Sequence, residues 1–157
     1  AARSLVDKIA PFGWHLVIHF DPELLPGLED WIASLPVPVV IDHMGRMAPG
    51  DLNGPYFPLM LDLLARENVW CKISGAERSS TAGAPYHDVL RLAHAIVETA
   101  PDRVLWGTDW PHPVLKGEMP DDGKLVDLLA ELVPNAALQR AVLVDNPARL
   151  YGFSSSQ

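Results

Sequence analysis

Four short apolar segments, each followed by a helix-like segment, constrain the fold of this chain more than any other feature. The apolar segments are residues 14–20, 39–42, 69–74 and 104–106. The helix-like segments are residues 2–9, 24–35, 57–67, 86–99, 124–132 and 136–144. Strands that alternate with helices at this spacing form βα units, and right-handed crossovers between such units give a parallel sheet. The pattern predicts an α/β fold with four parallel strands.

Four strands are too few to close a barrel. A (β/α)₈ barrel needs eight strands and about 250 residues, whereas this chain has 157 residues. The chain is therefore either part of a larger barrel or a small open sheet. An open sheet of the flavodoxin type has a glycine-rich phosphate loop after its first strand. The segment HFDPELLPG, residues 19–27, contains no such loop, so that alternative is disfavoured.

Charge and composition limit the partners that the chain can bind. The formal net charge is −8 and the basic residues form no cluster, so neither nucleic acid nor an anionic membrane surface is expected as a partner. No apolar run approaches the length of about 18 residues that a membrane span needs. Cys71 is the only cysteine, which excludes an internal disulfide and fits a reducing, cytoplasmic location. No base lies near Cys71 in the sequence, so it is not expected to be a nucleophile.

A polar side chain lies at or just beyond the end of each apolar segment. These side chains are His19, His43, Arg78 and Asp109, the last within the segment RVLWGTDWPHP. The carboxyl ends of parallel strands meet at one edge of the sheet, which is where such folds bind their ligands. We therefore expect the four side chains to form one site. The alternative for Asp109 is that it only caps the turn that follows.

Five segments together resemble the C-terminal half of the 2-pyrone-4,6-dicarboxylate hydrolases, a lactonase branch of the amidohydrolase superfamily. They are WHLVIHF, VVIDHMGR, VWCKISGAER, RVLWGTDWPHP and LVDNPARLY, of which DHMGR and GTDWPHP are the most specific. The resemblance implies strands five to eight of a (β/α)₈ TIM barrel of amidohydrolase type, with residues 1–157 as a partial barrel domain. It also implies a hydrolase of aromatic compound catabolism that opens a carboxylated, anionic lactone similar to 2-pyrone-4,6-dicarboxylate.

The resemblance implies a role for several individual residues. Asp109 matches the general base that activates water, and His43 matches the histidine that binds the lactone carbonyl and stabilises the oxyanion. Arg78 matches an arginine that binds a substrate carboxylate. Arg46 contacts the substrate anion as well, or it pairs with Asp42, and the structural pairing is preferred.

Three further residues leave alternatives open. His112 contacts the substrate or only braces its loop. His19 stands where the lactonases have a substrate-binding tyrosine, which predicts a substrate contact and no firmly implied cofactor. Metal-dependent amidohydrolases have a metal-binding histidine there, and His19 with Asp109 would then bind zinc or manganese. Val114 stands where a polar residue often follows the WPHP segment in the family, which weakens the case for the pyrone dicarboxylate itself.

Other functions stay open at this stage. One is a metal-dependent amidohydrolase or a decarboxylase-like enzyme of the same superfamily. Another is an inactive barrel fragment, or a half-barrel whose exposed edge strands pair with those of a second copy. The sequence does not determine the oligomeric state.

Overall fold

A computed structural model of the protein describes residues 2–113, 115 and 117–153. The strands form one parallel sheet in the order β1-β2-β3-β4, namely β1 Leu16–Ile18, β2 Val39–Ile41, β3 Val69–Lys72 and β4 Val104–Leu105. The helices are α1 Ala2–Ile9, α2 Leu25–Ala33, α3 Tyr56–Leu64, α4 Ala76–Ser79, α5 Leu90–Thr99, α6 Asp122–Leu132, α7 Ala136–Arg140 and α8 Asn146–Tyr151. The predicted alternation of strands and helices in a parallel α/β fold is confirmed.

The two faces of the sheet bury different sets of residues, because successive side chains of a strand point to opposite faces. On one face, Val39 and Ile41 of β2 join the main hydrophobic core, which α2, α3 and α5 complete. Helix residues such as Leu25, Ile32 and Met60 are fully buried there. Each such side chain contributes about 1.5–3 kcal/mol through burial. This core holds the strands in register.

The opposite face carries a smaller cluster of Val40, Trp70 and Leu105, against which Leu150 of α8 packs. The guanidinium of Arg149, also on α8, lies 4.9 Å from the centre of the Trp70 ring. α8 therefore covers part of the face that points away from the other helices. None of the helices in residues 2–113, 115 and 117–153 is long and apolar enough to cross a membrane.

Several element boundaries differ from the sequence prediction. β1 is shorter than the predicted residues 14–20, and a turn of π-helix, Ala141–Asp145, interrupts the predicted helix 136–144. The predicted helix 86–99 begins only at Leu90, because Tyr86 has a left-handed backbone with φ 65° and a 3₁₀ turn follows it. The prediction gave no helix to the closing segment, which forms α8. The Asn146 amide donates to the carbonyls of Pro101 and Val104, and these bonds tie α8 to β4.

Candidate active site

The predicted site residues lie beyond the carboxyl ends of the four strands. His19 directly follows β1, and His43 follows β2 after a single residue. Arg78 lies in the short helix α4 that follows β3, and Asp109 lies in the loop after β4. The structure brings His43 and Arg78 into contact with the same carboxylate, that of Asp109, as their positions in successive βα units predict.

Asp109 lies at the centre of this group and uses both carboxylate oxygens. Its Oδ2 accepts a hydrogen bond of 2.5 Å from Nε of Arg78, and its Oδ1 lies 3.3 Å from Nε2 of His43. Nη2 of Arg78 also donates to the carbonyl of Pro113 at 2.8 Å. The three side chains are no more than 16% exposed. A carboxylate, an imidazole and a guanidinium therefore converge in a largely desolvated place, where their interactions are strengthened.

The ring of His43 is fixed on its other side by Ser74. Nδ1 lies 2.8 Å from the Ser74 hydroxyl oxygen, and both residues are buried. Nε2 faces carboxylate oxygens of Asp109 at 3.3 Å and Asp42 at 3.4 Å. Carboxylates accept hydrogen bonds only, so the arrangement favours a ring with its proton on Nε2, which accepts from Ser74 at Nδ1.

Burial lowers the pKa of His43 below its usual value of 6.5, and this is the largest effect on it. The carboxylates of Asp42 and Asp109 oppose that shift, whereas the cations of Arg78 and Lys72 reinforce it. The neutral imidazole is therefore favoured near neutral pH. A neutral ring with a proton on Nε2 can donate a hydrogen bond to a carbonyl oxygen.

The backbone is strained at four of the predicted site residues. The φ angles are 48° at His43, 56° at Arg46, 71° at Asp109 and 54° at His112. Residues other than glycine seldom adopt this left-handed region, and such strain of about 1–3 kcal/mol per residue concentrates at functional sites. At His43 and Asp109, the left-handed backbone directs side chains from two separate loops toward one another.

Gly75, directly after Ser74, gives the His43 ring its space. Gly75 has φ +69°, and a Cβ built there would lie 3.0–3.1 Å from three atoms of His43. A side chain at this position would therefore push against the imidazole. Ser74 therefore forms a hydrogen bond with the His43 ring, and Gly75 leaves the space that the ring occupies.

Arg46 is drawn away from the other site residues. Its Nη1 forms a 2.8 Å ion pair with Asp21, and both side chains are about half exposed. The predicted pairing of Arg46 with Asp42 is therefore wrong. Asp42 instead lies 2.9 Å from the Lys72 ammonium and 3.4 Å from Nε2 of His43. Lys72 points from β3 toward the end of β2, so it reaches Asp42 more directly than Arg46 does.

His19 is exposed, and its contact with the other site residues is with the ring of His43. Their ring centres lie 5.5 Å apart in an edge-to-face arrangement. His19, Asp42 and His43 each offer a ligand atom, and these atoms lie within 4.8 Å of one another. Asp109 belongs to a second such group, with Glu77 and His112. The two residues predicted as alternative metal ligands, His19 and Asp109, therefore fall in different groups, and their shared metal site stays a prediction.

His112 is enclosed by two carboxylates. Its Nδ1 lies 3.3 Å from Oε1 of Glu77, and its Nε2 lies 3.3 Å from Oδ1 of Asp122. The ring is only 1% exposed. These contacts support the bracing alternative, and a substrate contact by His112 stays a prediction. Val114 lies outside the described residues.

A sequence comparison identifies the family. The amidohydrolase family matches residues 1–153. The chain belongs to the amidohydrolase family. It is 47% identical over 158 residues to a 2-pyrone-4,6-dicarboxylate hydrolase of Comamonas testosteroni, covering 94% of this chain and 52% of that protein. It is also 47% identical over 142 residues to a 4-sulfomuconolactone hydrolase of Rhizobium radiobacter, covering 88% of this chain and 48% of that one.

A solved structure agrees with this membership. A protein of Acinetobacter baumannii, provisionally named a 2-pyrone-4,6-dicarboxylic acid hydrolase and crystallised with citric acid, matches with a TM-score of 0.83 at 25% identity. The match covers 96% of this chain and 57% of that one. The chain thus spans about half the length of the amidohydrolases that it matches. The predictions of the family and of half a (β/α)₈ barrel are confirmed.

The sequence reasoning missed Ser74 as part of this amidohydrolase site. Ser74 ends the apolar segment 69–74 and faces the same sheet edge as the predicted residues. Its position at a strand end was the signal that could have found it. Asp42, between β2 and His43, was considered only as a partner of Arg46, because its contact with Lys72 joins residues far apart in the sequence.

Cys71 takes no part in the site. Its side chain is fully buried in β3, and burial, reinforced by the nearby Asp42 carboxylate, raises the pKa of the thiol to about 12. A thiol with this pKa carries almost no thiolate at neutral pH. This agrees with the prediction that Cys71 is not a nucleophile.

Proposed function

We propose that the protein carrying this chain hydrolyses a carboxylated lactone, with water as the nucleophile. The observation that carries the proposal is the convergence of His43 and Arg78 on the Asp109 carboxylate. The site offers a base for water, a donor for a carbonyl oxygen and a cation for a substrate anion. The relatives' names add support, because pyrone dicarboxylate and sulfomuconolactone are both lactones with an anionic group.

Asp109 acts as the general base. It takes a proton from water while the water oxygen forms a bond to the lactone carbonyl carbon, and the carbonyl electrons move to oxygen. The bond between that carbon and the ring oxygen then breaks, and the ring oxygen takes up the proton held by Asp109. The product is an open-chain acid, and the Asp109 carboxylate is restored.

His43 stabilises the negative charge that develops on the carbonyl oxygen. The carboxylates of Asp42 and Asp109 face Nε2 and can only accept, so a neutral ring carries its proton on Nε2 and accepts from the Ser74 hydroxyl at Nδ1. Nε2 of His43 lies next to Asp109. The donor for the oxyanion and the base for the attacking water are therefore neighbours. A preorganised donor of this kind is worth about 2.7–4 kcal/mol in the transition state.

Arg78 binds the carboxylate of the substrate. Its Nε and one N–H of Nη2 bond to Asp109 and Pro113, and a guanidinium has five N–H donors in a planar fork. The remaining donors can bind an anion while the base stays in place. Citric acid in the Acinetobacter baumannii relative is itself a tricarboxylic acid, which supports an anionic substrate.

The test compares an acid with its ester in the protein expressed from its complete reading frame. Arg78→Lys keeps the charge but loses the fork, so KM for 2-pyrone-4,6-dicarboxylate should rise about tenfold or more. The dimethyl ester, which presents no anion, should be affected far less. Arg66→Lys, on the exposed end of the segment after α3, is the matched control. Equal losses on acid and ester would contradict the anion-binding role of Arg78.

A second candidate, hydrolysis assisted by zinc or manganese, is supported by the group of His19, Asp42 and His43. Two imidazole nitrogens and a carboxylate oxygen within 4.8 Å of one another fit the three-ligand set of catalytic zinc sites. Such a metal would supply a bound water of lowered pKa. About one equivalent of zinc or manganese in the purified protein, with activity lost in chelator and in His19→Gln, would favour this candidate. Full activity in chelator would favour the metal-independent reaction.

A further inference from the structure

Glu77 and His112 form a buried ion-pair-like contact beside the three central site residues. Their side chains are 3% and 1% exposed, and Oε1 of Glu77 lies 3.3 Å from Nδ1 of His112. A carboxylate that is this buried is costly unless it is paired. The reaction proposed above gives neither residue a task, so the burial of this pair needs another explanation.

Glu77 also reaches the guanidinium of Arg78. Its Oε1 lies 3.8 Å from Nε of Arg78, the nitrogen that donates to Asp109 at 2.5 Å. A free arginine side chain has about 2 kcal/mol of rotamer entropy to lose, and α4, which carries it, has only four residues. Contacts beyond the helix itself must therefore fix the orientation of Arg78.

His112 connects Glu77 to the loop that carries the base. The backbone N–H of His112 donates to the carbonyl of Asp109 at 2.7 Å, and its Nε2 lies 3.3 Å from Asp122 at the start of α6. His112 therefore ties the loop after β4 to α4 and to α6. A shift of His112 would move the partner of Glu77 and the base together.

We infer that Glu77 and His112 are positioning residues that hold Arg78 in the orientation in which its free N–H donors face the substrate anion. The inference rests on the proposed function, because it assigns Arg78 the role of binding a carboxylate. Glu77 acts through the Arg78 guanidinium, and His112 acts by fixing the Glu77 carboxylate.

The test is a double-mutant cycle in the protein expressed from its complete reading frame. Glu77→Gln should raise KM for the carboxylated lactone about three- to tenfold and change kcat/KM for its methyl ester less than about twofold. Added to Arg78→Lys, Glu77→Gln should change KM for the acid by less than about twofold, because its only route of action is already lost. His87→Gln is the matched control, since His87 makes the same 3.3 Å contact with a carboxylate, Glu131, on the exposed surface.

The outcomes separate this inference from the function on which it rests. If Arg78→Lys distinguishes acid from ester but Glu77→Gln does not, or if the two changes multiply, the positioning role is wrong and the function stands. If Arg78→Lys itself treats acid and ester alike, the proposed function fails. Should Glu77→Gln not fold, Glu77→Asp is measured in the same way, and a failure of both to fold would show that Glu77 is purely structural.

Discussion

The ends of β2, β3 and β4 differ from the end of β1 in how their side chains are held. His43, Arg78 and Asp109 are at most 16% exposed, and the first two both contact the Asp109 carboxylate. At the β1 end, His19 and Asp21 are exposed. Asp21 binds Arg46, which follows β2 but is 46% exposed and lies away from the other site residues. The first group is preorganised by this chain alone, and the second is open.

Position at a sheet edge does not explain this difference, because β1 and β4 are both outer strands. Asp109 follows an outer strand, yet its left-handed turn directs the carboxylate back to His43 and Arg78. His19 is not among the residues with a positive φ in the part of the chain that the structure describes. A left-handed backbone alone is not sufficient, since Arg46 has φ 56° and is still 46% exposed. Preorganisation at this site therefore comes from buried partners, and it should be lost most where these are disturbed.

The largest effect is expected at Asp109, the centre of the preorganised group. Asp109→Asn keeps the shape but cannot accept a proton, so kcat should fall about 1000-fold or more while KM changes little. Steady-state kinetics of the protein expressed from its complete reading frame would measure both. The control is Asp7→Asn, an exposed carboxylate on α1. A variant with near-normal kcat would remove Asp109 from the mechanism.

A smaller but specific effect is expected at Gly75. Gly75→Ala places a Cβ 3.0–3.1 Å from the His43 ring and should lower kcat/KM about tenfold or more, because displacement of a catalytic group by about 1 Å can cost up to about 100-fold.

Gly83→Ala is the matched control for this change. Gly83 has a similar φ of +77°, but a Cβ there would meet nothing within 4 Å. Both variants carry the backbone cost of about 1 kcal/mol, so only their difference reports contact with the imidazole. Equal kinetics for the two variants would contradict a tightly placed His43.

The third effect concerns stability and pH. The pKa of His43 is lowered in the folded protein, chiefly by burial, so the unfolded chain binds its proton more readily. The contribution of His43 to stability is therefore present above its unfolded pKa of about 6.5 and is lost as the pH falls through the lower folded pKa. One proton accounts for a slope of at most about 1.4 kcal/mol per pH unit.

Chemical denaturation between about pH 5 and 7.5 measures this slope. His43→Gln should flatten the loss of stability on the acid side of this range, leaving the part due to His15, whose pKa burial and Lys72 also lower. An unchanged slope in His43→Gln would mean that His43 takes up its proton equally well in the folded and unfolded states.

The sequence predicted the fold and the core of the site for a physical reason. Strand and helix periodicities are local, and parallel strands necessarily bring His43 and Asp109 to one edge. Partners that depend on side-chain reach across loops were not predictable in this way. Arg46 pairs with Asp21 rather than Asp42, and Ser74 bonds His43 from 31 residues away. The helical end at α8 was missed because its stability comes from Asn146 bonding to β4.

The smallest effect is expected at the open end of the comparison. Asp21→Asn removes the ion pair with Arg46, and exposed pairs are worth about 0.2–1 kcal/mol, so the free energy of unfolding should fall by no more than that. The loss should shrink further at high salt, which screens exposed charges. If Arg46 is structural, KM for the carboxylated lactone should change less than about twofold in Asp21→Asn.

The same variant tests whether Arg46 binds the substrate. If Arg46 leaves Asp21 to bind the substrate anion, Asp21→Asn should instead lower KM, since the guanidinium no longer has to break an ion pair first. A lowered KM for the acid but not for its methyl ester would thus show that Arg46 binds the substrate anion. The residues near the end of β1 would then belong to the same substrate site as His43, Arg78 and Asp109.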